Sequence, residues 1–177
     1  MAAHDLAALW DAHCGFEFET RDVDATMATM VAEPYVNHIP TMTGGVGFDK
    51  LRDFYANHFI GVNPPDFELV PVSRTVGETS VVDELIARFT HTTHIDWMLP
   101  GIEPTGRSVE IPLVAIVQFD GDKLVHEHIY WDQASVLVQL GLLEAGPSGG
   151  LPIAGAETAH KVLDPSLPSN TLMESAR

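Results

Sequence analysis

The densest run of residues able to do chemistry is His126-Glu127-His128-Ile129-Tyr130-Trp131-Asp132. On a strand, the two-residue period puts His126, His128, Tyr130 and Asp132 on one face. Val125, Glu127, Ile129 and Trp131 fall on the other. Two imidazoles, a phenol and a carboxylate are costly in a dry core, so their face is either solvated or lines a pocket. The apolar neighbours mark the opposite face as the greasy one or as an interface. Such a set suits proton transfer, because imidazole titrates near neutrality and a desolvated carboxyl holds its proton more tightly. A second group is His91-Thr92-Thr93-His94-Ile95-Asp96-Trp97. On a regular strand His91 and His94 point to opposite faces, so at most one of them serves a site. The third candidate is His38, at the end of a short strand before Ile39-Pro40. Glu84 and Arg88 share a face and read as an ion pair.

Other chemistries fit less well. His126 and His128 form an H-x-H pair that could chelate a metal from one strand face. Further ligands do not fall at a recognisable spacing, so we expect no metal and no cofactor. No G-x-S-x-G elbow is present, and Cys14, the single cysteine, reads as a small buried thiol in the first helix. Gly44-Gly45-Val46-Gly47 lacks the Lys-Ser/Thr of a phosphate-binding loop. Nine Lys and Arg against 25 Asp and Glu give a net charge of −16, which argues against nucleic acid and membrane surfaces as partners.

Those residues need elements to hold them. A helix is expected over His4–Cys14, with Leu6, Leu9, Trp10 and His13 at helical spacing. A second follows Asp22 or Asp24, with Met27, Met30 and Val31 on one face, and ends at Glu33-Pro34. Tyr35–Ile39 reads as a short strand and Pro40–Gly47 as a glycine-rich turn. A third helix starts at Phe48, with Leu51, Phe54, Tyr55, His58 and Phe59 as its apolar stripe. Phe67–Val76, Ser80–Ile95, Arg107–Phe119 and Lys123–Trp131 read as strands, with a hairpin turn at Asp120-Gly121-Asp122. Ala134–Leu143 is helical again. The pattern is α+β, with helices on one face of a curved antiparallel sheet. With 177 residues, 45% hydrophobic and 19% charged, the chain suits one globular domain with an arm. We place the domain at residues 1–145 and a Pro/Gly-rich arm at 146–177. The arm opens with a flexible connection, Gly146–Gly150, carries a short helix at Glu157–Leu163, and is apolar enough to dock on the body or on a second subunit. No signal-peptide pattern and no long apolar run is seen, which points to a soluble protein of the cytoplasm.

Three stretches carry a resemblance. Met30–Pro40 followed by Gly47–Tyr55 resembles the helix–strand–helix opening of ketosteroid-isomerase-like proteins. Pro100–Arg107 through Glu110-Ile111-Pro112, and Val125–Leu143 with its Tyr-Trp-Asp-Gln ending, resemble SnoaL-like polyketide cyclases. Together they span about residues 5–143. The resemblance implies a cone-shaped α+β barrel: a strongly bent antiparallel sheet packed against three N-terminal helices around an apolar pocket, commonly dimeric. It assigns His38 the position of the isomerase general base and Asp132 that of the cyclase acid/base. The chain departs from the isomerase in having His as the base and no clear tyrosine donor in the first helix. The expected function is cofactor-independent acid/base catalysis on a small apolar carbonyl compound, as an aldol-type cyclase, isomerase or hydratase. His38 and Asp132 are the catalytic pair. His94, His126, His128 and Tyr130 position the substrate, within walls that include Phe54, Tyr55, His58, Phe59, Trp97 and Trp131. A non-catalytic small-molecule-binding or dimerisation module is the second reading, and an H-x-H metal protein the third. Of the nine histidines, His38, His94, His126 and His128 are expected around one pocket, and His4, His13 and His160 on the surface.

Overall fold

The computed structural model describes residues 4–146 and 150–174. Helix α1, Leu6–Cys14, begins where the Asp5 carboxylate accepts the Ala8 amide at 3.1 Å, and it buries Leu6, Trp10 and His13. The chain runs on into a π-helical turn, Gly15–Thr20, ended by Arg21 in the left-handed conformation at φ 54°. Asp22 caps α2, Val23–Ala28, by accepting the Ala25 amide at 3.0 Å. That helix stops sooner than expected, because Met30 and Val31 already belong to strand β1, Met30–His38. Pro34 lies inside this strand, in the register shift between Met30 and Tyr35 where its missing donor does no harm. The expected glycine turn contains a further strand, β2, Thr43–Val46. Gly44 lets it approach β1, since a Cβ there would lie 2.0 Å from the Val36 carbonyl oxygen. Helix α3, Phe48–Phe54, continues into a second π-helical turn, Tyr55–Phe59.

Strands β3 (Glu68–Val76), β4 (Ser80–Thr90), β5 (Ser108–Asp120) and β6 (Lys123–Trp131) complete a curved, unclosed six-stranded sheet of order β2-β1-β6-β5-β4-β3. The expected α+β architecture is present. One pairing departs from the expected antiparallel sheet, because β1 and β6 run parallel. The strand expected to reach Ile95 ends at Thr90, and His91 pairs with the far side of a long loop through Arg107 and Gly106. Helix α4, Gln133–Gln139, follows β6, and α5 occupies Glu157–Leu163, where a short helix was expected. A last turn, α6, spans Thr171–Glu174. Residues 147–149 of the expected flexible connection lie outside the described residues. Beyond them the arm touches the body: the Ser135 hydroxyl donates to the Gly155 carbonyl at 3.2 Å, and His160 Nε2 lies 3.4 Å from Glu110 Oε1.

The core lies between the helices and the concave face of the sheet. Alternate residues of β5, from Val109 through Phe119, are all buried there. On β6 the row is interrupted. Phe119 pairs with Leu124 but Gln118 with His126, which leaves Val125 as the extra residue of a bulge. Leu124 and Glu127 therefore both point inward although three positions apart, followed by Ile129 and Trp131. From His126 onward the two faces of β6 are composed as the alternation predicts, while Val125, expected beside Glu127, is displaced by the bulge and Leu124 takes the inward place; the face turned toward the helices is the one carrying Glu127.

Candidate active site

Under α1 and its π-helical extension the core leaves a cavity of about 40 Å³. Its walls are the rings of Trp10, Phe18, Phe59, Phe67 and Trp97 together with aliphatic side chains. The polar or ionisable side chains at its surface are Cys14, Glu17, His38 and Glu127.

Two of these belong to a buried cluster. His13 and Glu17 sit four residues apart across the junction of α1 and the π-helical turn, and His13 Nε2 lies 3.1 Å from Glu17 Oε1. The same nitrogen lies 3.2 Å from Glu127 Oε1, to which the Tyr55 hydroxyl donates at 3.0 Å. His13 Nδ1 lies 2.6 Å from Thr29 Oγ1. That hydroxyl gives its one proton to the Thr26 carbonyl, so it accepts from Nδ1–H and aims Nε2 at the carboxylates. Burial opposes a charge on His13, yet Glu17 and Glu127 together push it up to about 10, which makes it an imidazolium at neutral pH. Burial in turn pushes the Glu17 carboxyl up, against the pull of His13. One cation facing two carboxyl groups in a dry site favours leaving a proton on one of them. Tyr55 and Cys14 are held neutral by burial and by the same two acids.

His38 closes another side of the cavity. It ends β1 opposite Thr43 of β2, and its Nδ1 donates to the Thr43 carbonyl at 3.3 Å, which leaves the lone pair on Nε2. The rings of Trp97, Phe59, Phe54 and Trp131 lie with centroids 4.9, 5.5, 5.6 and 5.9 Å from it. Burial among them pulls it down to about 4, against the charge of Glu127 and the Thr43 carbonyl, so the ring is neutral.

Of the residues expected from sequence, His38, Phe59 and Trp97 line the cavity, and Phe54, Tyr55 and Trp131 form the layer behind it. The others lie elsewhere. Asp132 is exposed and caps α4, its Oδ1 accepting the Ala134 and Ser135 amides at 2.9 and 3.3 Å. His126 and His128 are on the convex face, where the Tyr35 ring stacks on His126 at 4.8 Å and its hydroxyl meets His128 Nε2 at 2.7 Å. Tyr130 is 41% exposed on that face. His94 is exposed beside Glu103, and His58 faces Asp96 outside the core. His91, fully buried, hydrogen-bonds Thr105 and does not line the cavity. His13, expected at the surface, is 1% exposed because Glu17 and Glu127 meet it inside. Sequence reasoning missed His13, Glu17 and Glu127 as site residues. The four-residue His–Glu spacing, and one acid on the greasy side of β6, were the available clues.

Among the described residues, His13, Glu17 and Glu127 are the group whose donor atoms converge closely enough for a metal ion, all within 4.8 Å. There His13 Nε2 already meets both carboxylates, at 3.1 and 3.2 Å. In the H-x-H pair the ring centroids of His126 and His128 are 4.7 Å apart, and His128 Nε2 is taken by Tyr35. No helix among the described residues is long and apolar enough to cross a membrane.

No protein of curated function matches the chain. Solved structures share the fold at low identity. A candidate SnoaL-like polyketide cyclase from Jannaschia sp. CCS1 is 17% identical, with a TM-score of 0.58 over 81% of this chain and 99% of that one. A protein with a ketosteroid isomerase-like fold from Catenulispora acidiphila DSM 44928, solved in complex with trimethylamine, is 15% identical, with a TM-score of 0.57 over 76% and 92%. An NTF2-like protein of unknown function from Burkholderia pseudomallei K96243 is 17% identical, with a TM-score of 0.56 over 79% and 98%. The model of the SnoaL-like domain matches residues 10–127, which take in the second half of α1, strands β1 to β5, the first half of β6 and all of His13, Glu17, His38 and Glu127, and the chain belongs to that family.

Proposed function

We propose that the chain is a cofactor-independent acid/base catalyst acting on a small, uncharged carbonyl compound, as an aldol-type cyclase, isomerase or hydratase. The observation that carries this reading is the meeting, at one aromatic-walled cavity, of His38, whose Nδ1 donates to Thr43 and leaves a lone pair on Nε2, and Glu17, whose carboxyl burial pushes up. His38 Nε2 takes the proton next to the carbonyl. Glu17 gives a proton to the carbonyl oxygen, so the enolate charge never builds up unpaired in the low-dielectric site. A base near 4 is adequate when the carbonyl is polarised at the same moment, as carboxylate bases of about 4.6 show. His13, Glu127 and Tyr55 hold Glu17 in place and balance its charge. The acid role expected of Asp132 thus passes to Glu17, which faces the cavity where Asp132 does not.

The reading is tested by following α-hydrogen exchange of 2-tetralone in deuterated water by NMR. The wild-type protein should exchange faster than buffer, and His38→Ala and Glu17→Gln should each slow it about 10²–10⁴-fold. Exchange at the buffer rate in the wild type, or unchanged in either variant, overturns the assignment. A binding module is the second reading, favoured by the aromatic box with carboxyl groups beneath it. Such a box also suits a small cation, and a structural neighbour holds trimethylamine. A ligand recovered chemically unchanged, bound equally well by His38→Ala, would select it.

A further inference from the structure

The cavity is too small for the substrate proposed for it. Its volume is about 40 Å³, whereas a void of about 150 Å³ is what benzene occupies in a protein core. A groove of about 350 Å³ lies directly outside it, between α1 with its π-helical turn and strands β3 and β4. Cavity and groove share one wall, made of Cys14, Phe18, Phe67, Leu69 and Leu85. Leu69 and Leu85 are fixed in the sheet, and Cys14 ends α1. Phe67 is held from behind, stacked on the buried Phe89 at 5.6 Å and edge-on to Trp97 at 6.1 Å. Phe18 differs from these four. It reaches from the helical layer across to the sheet side, lies flat on Phe67 (5.7 Å, 4° between planes) and meets Phe59 edge-on at 5.8 Å. Like Cys14, Phe67 and Leu69 it is only partly buried and lines the groove, but no element of the sheet holds it. It sits in the π-helical turn between Gly15 and the left-handed Arg21, where helix geometry is already irregular.

We propose that Phe18 is the gate and the size-determining residue of this site. Its ring swings off Phe67 toward the groove, cavity and groove become one space, and the flat ring of the entering compound takes its stacking place on Phe67. The residue preceding it, Glu17, then meets the polar end of that compound. The groove also carries Asp11, Glu19 and Asp83 against the single cation Arg74, itself bonded to Asp11 and Asp83 at 2.7 Å each. This acidic lining turns away anionic compounds and passes neutral ones. The inference rests on the proposed site but not on the chemistry assigned to it.

The test uses 2-naphthol and the larger 1-hydroxypyrene as flat, uncharged probes, read by stopped-flow quenching of tryptophan fluorescence, since Trp10 and Trp97 line the cavity. If the open state is a minor one, removing the gate raises association by the reciprocal of its population, roughly tenfold or more. Phe18→Ala should therefore bind 2-naphthol at least tenfold faster and admit 1-hydroxypyrene. Phe18→Trp should slow binding, and Phe18→Leu, the variant that best preserves packing, should fall between wild type and Ala. Acrylamide quenching gives a readout without any bound probe. The three tryptophans are at most 8% exposed, and quenching should rise severalfold in Phe18→Ala and moderately in Phe18→Leu. Association rates within twofold across the series, or unchanged acrylamide quenching in both Ala and Leu variants, overturn the gate. Access and deuterium exchange are separate measurements, so a working gate without exchange sinks only the catalytic reading, and exchange without gating sinks only this one.

Discussion

Strand β6 carries two titratable clusters, one on each face, and they have opposite characters. Inside, Glu127 joins His13, Glu17 and Tyr55, each no more than 3% exposed. Outside, His126 and His128 meet Tyr35 in a partly solvated patch. The outer cluster is the denser in sequence and the more suggestive by residue type. Solvent nonetheless reaches it, and its members are paired with one another rather than with buried charges. The inner cluster is scattered over residues 13, 17, 55 and 127, and burial forces it into a fixed pattern of protons. The contrast shows that chemical potential follows the environment a face is given rather than the number of functional groups it carries.

The largest expected difference between the clusters is in stability. Replacing His13 by Leu removes the one cation and leaves two carboxyl groups facing each other in the core. A loss of about 3–5 kcal/mol in urea denaturation is expected, the usual cost of breaking a buried charge pair. His128→Ala on the outer face should cost under about 1 kcal/mol. Equal losses would mean that the inner cluster is not charged as described.

A second difference is in pH dependence. His38 is pulled down to about 4, and an unfolded histidine titrates near 6.5. Between those values the unfolded chain binds a proton the folded chain refuses, so stability falls as pH drops from 6.5 towards 4, by about 3 kcal/mol in all. His13 is pushed up to about 10. Its contribution is complete below 6.5 and is lost as pH rises through 10. These two histidines by themselves give a maximum of stability near pH 6.5 in chemical denaturation, while Glu17, which burial pushes up, works against the rise below it. His38→Phe should flatten the acid limb, whereas His126→Gln, whose ring burial and His128 also pull down, should trim that limb and leave the alkaline one in place.

These clusters also mark where sequence was readable. Strand alternation sorted β6 into its two faces, and the family resemblance placed His38 on the cavity. Alternation could not say which face meets the helices, because that depends on the curvature of the sheet and on the bulge at Val125. His13 read as a surface residue because its partners lie 4 and 114 positions away, and only the first distance is visible on a helix. Strand β2 was hidden because a Gly-Gly step reads as a turn, while its real reason is the close approach of Gly44 to Val36. The parallel β1–β6 pair joins distant segments, and nothing local announces it.

The smallest expected effect is the most discriminating for β6, because it separates residue type from location. Asp132 continues the outer-face row and has the chemistry of a catalytic acid, yet its carboxylate accepts two amides at the start of α4. A helix cap of this kind contributes about 1 kcal/mol. Asp132→Ala should therefore lower stability by about that amount and leave 2-tetralone exchange at the wild-type rate, and Asp132→Asn, which still accepts an amide, should recover most of the loss. If Asp132→Asn instead keeps the stability and loses the exchange, the outer face holds the acid, and the division drawn between the two faces of β6 fails at its end.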